Sequence, residues 1–290
     1  MKRREFLITG ATATLIASTN VLSIRRASAS DAANVENLVS VANISTANKL
    51  TPPADGPIPV AFAISRGATM IDFAGPWEVF QDVMVRAAKA VGDQRDGGRD
   101  KSQGQGDNSQ GGNSQDGSQG GNSQGNNRHA DHRSGFTLYT VSEKTDPIEA
   151  SAGMKIIPDY TFETAPAPKV VVIPAQAGSP ALHAWLRKIV DSTDVTMSVC
   201  TGAFQLGRAG LLSGKEATTH HDFFDQFAKA FPDVKLKRGQ RFVENEKIST
   251  AGGLTSGIDL ALRVVERYFG RETAEQTAFY MEYQSKGWIV

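Results

Sequence analysis

The chain has 290 residues and a single cysteine, which narrows the sulfur chemistry open to it. An intramolecular disulfide is impossible and a four-cysteine structural zinc site is excluded, so Cys200 can act only as a lone thiol. It sits in Ser198-Val-Cys-Thr-Gly202, between an apolar run ending at Val199 and a helical pattern that starts near Gly202. Small residues on either side let a strand and a helix approach closely around a sharp turn, as a nucleophile elbow requires. Free N–H groups and the dipole at a helix N-terminus would stabilise a thiolate and lower its pKa. The plain alternative is a buried, inert cysteine packed as a small apolar side chain.

Two further residues carry chemistry at places where loops lead into helices. Asp72, in Ile71-Asp-Phe-Ala-Gly-Pro-Trp-Glu-Val-Phe80, follows a predicted strand and precedes a helix opened by Pro76. A capping carboxylate is the default role for an isolated Asp there. Glu78, in the first turn of that helix, suits the dipole and is read as structural. His220, in Ala217-Thr-Thr-His-His221, follows a short extended segment, where a core or loop histidine is the common fate.

The elements that must position these residues alternate. Ile58 to Ile64, Phe136 to Ser142, Lys169 to Pro174 and Val195 to Val199 read as strands, and Pro76 to Val91 has apolar residues at helical spacing. Ser179-Pro180 opens a helix through Ile189, with Pro at a favourable first-turn position, and Thr201 to Leu212 reads as another. Phe242-Val243 and Lys247 to Thr250 form two short strands around Asn245. Helices over Thr255 to Phe269 and Glu272 to Tyr283 close the chain. This order predicts an α/β fold with a mostly parallel sheet sandwiched by helices. In such a sheet, sites form beyond the carboxyl ends of the strands.

The first residues speak to location. Basic Lys2, Arg3 and Arg4 lead into a mildly apolar run, and Ala27-Ser-Ala29 offers small residues for cleavage. Residues 1–29 are therefore predicted to be an export signal of the twin-arginine type, with a periplasmic destination. Anchoring by an uncleaved N-terminal segment is the alternative, but the run is short and weakly apolar for a span. Residues 30–57 read as leader and linker, and one domain occupies 58–290. Within it, residues 102–127 hold 24 Gly, Ser, Gln or Asn and two Asp, too few apolar groups to offset ordering entropy, so a flexible insertion is expected over 92–134. Deleting residues 102–127 should leave the fold intact.

Charge excludes one class of partner. The 31 basic and 31 acidic residues cancel; removing residues 1–29 takes away five basic and one acidic residue and leaves 26 and 30, a net of −4. A mildly acidic protein is a poor nucleic-acid binder. The Lys235, Lys237 and Arg238 cluster reads as a solvated strand edge.

The motifs around Asp72 and Cys200 carry a resemblance. Together with Leu206-Gly-Arg-Ala-Gly-Leu-Leu212, Ala217-Thr-Thr-His220 and Gly252-Gly-Leu-Thr-Ser-Gly-Ile-Asp-Leu-Ala-Leu262, they resemble the ThiJ/PfpI superfamily, also called DJ-one/PfpI, from about Ile58 to Tyr283. The resemblance implies a class I glutamine amidotransferase-like fold, a flavodoxin-like three-layer sandwich, in a chain that forms homodimers. Cys-Thr at 200–201, with Ile-Asp-Phe-x-Gly-Pro and Ala-Thr-Thr-His, is similar to two branches: isonitrile hydratases and the sensor half of helix-turn-helix regulators. On that likeness Cys200 is the nucleophile, Asp72 the acid beside it, Thr201 the neighbour that supplies an N–H and a hydroxyl, and His220 a pocket residue. The partner donor is expected at Ala177 or Gly178, in a segment where members carry a run richer in glycine. His221 stands where members carry an aromatic residue or proline.

A thiolate adds to an electrophilic carbon only if the proton demand of the adduct is met. Asp72 could meet it by staying protonated near neutral pH, because two adjacent groups that cannot both ionise cheaply push their pKa values apart. Backbone N–H groups at Thr201 and Gly178 would then stabilise developing charge. The expected activity is hydration of a small-molecule electrophile, isocyanide to N-substituted formamide, with no metal or organic cofactor. The alternatives are carbonyl-adduct chemistry of the glyoxalase or deglycase kind, another thiol hydrolase activity, and a non-catalytic ligand or redox sensor. The transcriptional form of the last is disfavoured, because little chain follows the helix through Tyr283 to hold a helix-turn-helix pair. His129-Ala-Asp-His132 brings ligand types together, but beside the low-complexity tract it lacks the preordered shell a metal needs.

Overall fold

The computed structural model describes residues 49–86 and 132–290. The predicted export signal, most of the leader and nearly all of the 92–134 insertion lie outside the described residues, as does His129-Ala-Asp131.

Seven strands form one sheet: β1 Ile58–Ala63, β2 Phe136–Ser142, β3 Tyr160–Thr161, β4 Val170–Ile173, β5 Val195–Ser198, β6 Phe242–Glu244 and β7 Ile248–Ala251. Their spatial order is β6-β7-β5-β4-β1-β2-β3. Every pairing is parallel except β6 with β7. Among the described residues six α-helices accompany the strands: α1 Met70–Gln81, α2 Pro180–Ile189, α3 Ala203–Arg208, α4 Phe224–Ala230, α5 Ser256–Phe269 and α6 Arg271–Tyr280. This is the α/β sandwich that the alternation predicts.

The continuous apolar runs have a simple cause: both faces of the sheet are covered. Along β1, Val60 and Phe62 join the core shared with α1 and α5, while Ala61 and Ala63 join the core shared with α2, α3 and α4. The period of two in a strand thus supplies two cores from one segment. Because β1 is flanked by β2 on one side and β4 on the other, the chain changes direction across the sheet there. That switch point is where an open sheet leaves a crevice.

Three boundaries differ most from the sequence reading. Helix α1 starts at Met70 rather than Pro76, so Pro76 lies inside it and Asp72 sits in its first turn. Proline there removes only the bond to the Asp72 carbonyl, and its ring is buried beside Gly257 of α5. The helix also ends at Gln81, not Val91; Met84–Arg86 then pairs antiparallel with His132–Ser134. Glu78 is consequently beyond the first turn, exposed, and accepts a hydrogen bond from Gln81. Helix α3 stops at Arg208, and Gly210 at φ 76° turns the chain away before Leu212.

Lys235–Leu236 is a strand, paired with Glu216–Ala217, and its basic neighbours are ion-paired: Lys237 with Glu216 at 2.7 Å and Arg238 with Asp225 at 2.5 Å. Among the described residues no helix is long and apolar enough to cross a membrane.

Candidate active site

Strand β5 delivers the chain to Cys200, whose backbone is left-handed at φ 58°. A non-glycine residue adopts that conformation only at a cost in strain, and such strain concentrates where a side chain must be presented at a turn. The turn is fixed by the Cys200 N–H, which donates to Gly252 O at 2.7 Å, and by Thr219 Oγ1, which donates to Cys200 O at 2.9 Å. Gly202 explains the small-residue pattern: a Cβ there would lie 2.2 Å from the Ile173 carbonyl oxygen of β4. No side chain fits between the elbow and its neighbouring strand.

Around the sulfur, the N–H and hydroxyl of Thr201 and the N–H of Leu254 favour the thiolate. Burial outweighs them, and the charge of Asp72 adds to it, so the Cys200 thiol is pushed up to about 11. The lowering expected from a helix N-terminus does not prevail, because Cys200 is only 7% exposed and desolvation penalises the charged form.

Asp72 is fully buried. Its Oδ2 accepts the Ala175 N–H at 3.0 Å. Burial pushes its carboxyl up to about 6, opposed by the Ala175 bond and by the Cys200 thiol. The thiol contact is loose: Asp72 Oδ1 is buried with no partner that meets full hydrogen-bond geometry. Contacts of this kind tighten when substrate arrives. Asp72 is raised, as expected, yet not far enough to keep the proton at neutral pH. Two coupled groups titrating near 6 and near 11 hold one proton between them across that range, and it resides on sulfur.

The remaining predicted residues divide. Thr201 touches the sulfur. His220 stacks on His221 at 4.4 Å, and its Nδ1 accepts the Asp222 N–H at 3.2 Å. The ring packs so closely on Gly253 that a Cβ there would come within 2.3 Å of it. It braces the loop that carries Leu254 and has no hydrogen bond to Cys200 or Asp72. Ala177 and Gly178 are not free donors: Ala177 N–H is bound to Arg66 O at 3.1 Å and Gly178 N–H to Ser65 Oγ at 2.9 Å. The Gln176 N–H, one residue earlier, has no acceptor among the described residues.

Leu254 and Ala175 escaped the sequence reading, because both act through backbone N–H groups that any residue type carries. Leu254 also sits at φ 51°, a conformation its side chain does not advertise.

Two cavities open at this end of the sheet. One, about 160 Å³, is lined by Gln176, Thr201, Phe204, Gln205, Arg208, Phe223 and Gln226. A larger one, about 620 Å³, lies over Ser65, Arg66, Phe162 and Gly178; neither cavity is lined by Cys200 or Asp72. The smaller is the relevant one, since it reaches Thr201. For a metal, His220, His221 and Asp222 offer three ligand atoms within 4.8 Å of one another. The two rings are stacked, with an interplanar angle of 25°, so their lone pairs do not converge on one point.

Comparison with known proteins agrees with this geometry. The family model described as the DJ-1/PfpI family matches residues 128–267, a span that includes Cys200 but not Asp72. The chain is 34% identical over 143 residues to an isonitrile hydratase of Pseudomonas putida, covering 47% of this chain and 61% of that protein. It is 31% identical over 153 residues to the HTH-type transcriptional regulator CdhR of Pseudomonas aeruginosa, covering 51% of this chain and 45% of the regulator. The chain thus spans roughly half the length of these relatives. Among solved structures, a ThiJ/PfpI family protein from Pseudomonas syringae superposes with a TM-score of 0.57 at 22% identity, over 80% of this chain and 77% of that one. Drosophila melanogaster DJ-1beta superposes with a TM-score of 0.56 at 14% identity, over 79% and 100%. At such identities the structural likeness speaks for the fold alone. Taken with the elbow cysteine and the parallel sheet, these matches establish that the chain belongs to the DJ-1/PfpI family.

Proposed function

We propose that this protein is a cysteine-dependent hydratase of a small electrophile, converting an isocyanide to an N-substituted formamide. The observation that carries the reading is the fully buried Asp72 carboxyl, fixed by the Ala175 N–H, beside the Cys200 thiol. The relative from Pseudomonas putida bears the name of that activity.

The chemistry follows from where the proton starts. As Cys200 Sγ attacks the terminal carbon of R–NC, its proton passes to the Asp72 carboxylate, a base held at the sulfur by its bond to Ala175. The carbon lone pair left by the addition takes that proton back from Asp72, giving the thioimidate R–N=CH–S-Cys. Water then adds to the same carbon while Asp72 accepts one of its protons, and nitrogen takes the C=N electrons together with that proton, which returns Asp72 to the carboxylate. The C–S bond breaks, the carbon–oxygen double bond forms, sulfur regains a proton, and R–NH–CHO leaves. The N–H groups of Thr201 and Gln176 are the donors available for charge that develops along the way. No step requires a cofactor.

The test is turnover of aryl and alkyl isocyanides and of methylglyoxal, followed by NMR of the products. Formamide should appear with wild type, with kcat/KM at least about a thousandfold lower in Cys200→Ala and Asp72→Asn. Equal rates in all three proteins would reject the mechanism. A ligand or redox sensor built on the same fold is the second reading, favoured by the near-complete burial of the sulfur; binding without turnover would select it.

The protein is further proposed to be an exported, periplasmic homodimer, on the strength of Arg3-Arg4 and Ala27-Ser-Ala29 and of the family resemblance. Replacing both arginines with lysine should retain the full-length precursor in the cytoplasm, and the mature protein should sediment as a dimer.

A further inference from the structure

We infer that the active site selects small electrophiles carrying a carboxylate, which Arg208 holds in the cleft beside Thr201. The electrophilic half of that substrate rests on the hydratase reading; the carboxylate half rests on the cleft itself.

Thr201 joins the two places. Its N–H and hydroxyl act on the Cys200 sulfur, and the same residue lines the 160 Å³ cleft. A ligand seated there lies against the residue next to the nucleophile. None of the seven lining residues is acidic, and Arg208 is the cationic one. Arg208 has no ion pair or hydrogen bond among the described residues; its guanidinium lies over the Phe204 ring, 5.7 Å from the centroid. That contact orients a planar fork without consuming its donors.

The surrounding groups favour an anion. Gln205 is locked, its amide donating to Gln176 O at 2.9 Å and its Oε1 meeting His183 Nε2 at 2.9 Å, so it forms a fixed wall. Phe204 and Phe223 close the apolar side, ring centroids 6.4 Å apart. The acids nearest in sequence are engaged elsewhere: Asp225 with Arg238 at 2.5 Å, and Asp222 with His221 at 3.1 Å. One uncompensated guanidinium in a small cleft matches a single planar carboxylate, which it can bind in a bidentate manner. A phosphate, larger and doubly charged, would call for more than one cation.

The lone cysteine allows a test that does not depend on turnover. Iodoacetate and iodoacetamide alkylate a thiol in the same way, with an S–C bond formed and iodide expelled, and differ in the carboxylate. The rate at Cys200 of the full chain is read by mass spectrometry for wild type, Arg208→Gln and Arg208→Lys, with iodoacetamide as the neutral reference. The iodoacetate-to-iodoacetamide rate ratio should be about tenfold higher in wild type than in Arg208→Gln, the size of one charge-assisted hydrogen-bonded pair, with Arg208→Lys between them. An unchanged ratio, or a sulfur unreactive towards both reagents, overturns the inference. In a parallel arm, isocyanoacetate and its neutral methyl ester are compared as substrates, and Arg208→Gln should raise KM for the acid alone. If neither isocyanide is hydrated the hydratase reading fails, while the alkylation ratio still decides the role of Arg208.

Discussion

Asp72, in the first turn of α1, and Cys200, at the end of β5, together hold a single proton from about pH 6 to about pH 11. The folded chain brings them together from distant parts of the sequence, with the Ala175 amide fixing one carboxylate oxygen. Below about pH 6 Asp72 becomes protonated and can no longer take the proton from sulfur. The kcat/KM profile should therefore fall about tenfold per pH unit on its acid side, with an apparent pKa near 6. A flat profile down to pH 4.5 would show that the carboxylate form of Asp72 is not required.

The same shift has a consequence for stability. The folded-state pKa of Asp72 is raised from 3.8 to about 6, so the folded protein binds this proton more tightly than the unfolded chain. Stability from this group is complete below pH 3.8 and is lost as pH rises through 6, a difference of about 3 kcal/mol. Asp72→Asn should unfold at higher urea concentration than wild type at pH 7.5, and the gap should close near pH 4. A gap of constant size at both pH values would contradict the shift.

Gly202 offers a test of the elbow that leaves the dyad untouched. Gly202→Ala drives a Cβ into the Ile173 carbonyl, a backbone atom that cannot swing aside, and should cost about 3 kcal/mol or more. Gly210, at φ 76° with open space around its missing Cβ, supplies the control. Gly210→Ala should cost about 1 kcal/mol, from backbone strain alone. Denaturation midpoints in the reverse order would show that the close approach at Gly202 is not rigid.

Much of this fold is legible in the sequence because both sheet faces are covered: Val170 to Ile173 and Val195 to Val199 can be little else than buried strands. The elbow is legible for a similar reason, since Gly202 is there to let β4 approach. The helix at Asp72 is less so. Pro76 reads as a helix start, yet α1 tolerates it inside because only one carbonyl loses its partner and the ring finds a place against α5. The supporting donors at Ala175 and Leu254 are not legible at all, as backbone amides leave no mark on side-chain identity. The donors expected at Ala177 and Gly178 are taken up by Arg66 and Ser65, an exchange that only the folded loop reveals.

The shared proton can be observed directly by ultraviolet titration of thiolate absorbance, taken as the difference between wild type and Cys200→Ala. Thiolate should appear near pH 11 in wild type and at distinctly lower pH in Asp72→Asn, where the neighbouring negative charge is gone. Thiolate already present at pH 7, or a titration that Asp72→Asn leaves unmoved, would contradict the shared proton.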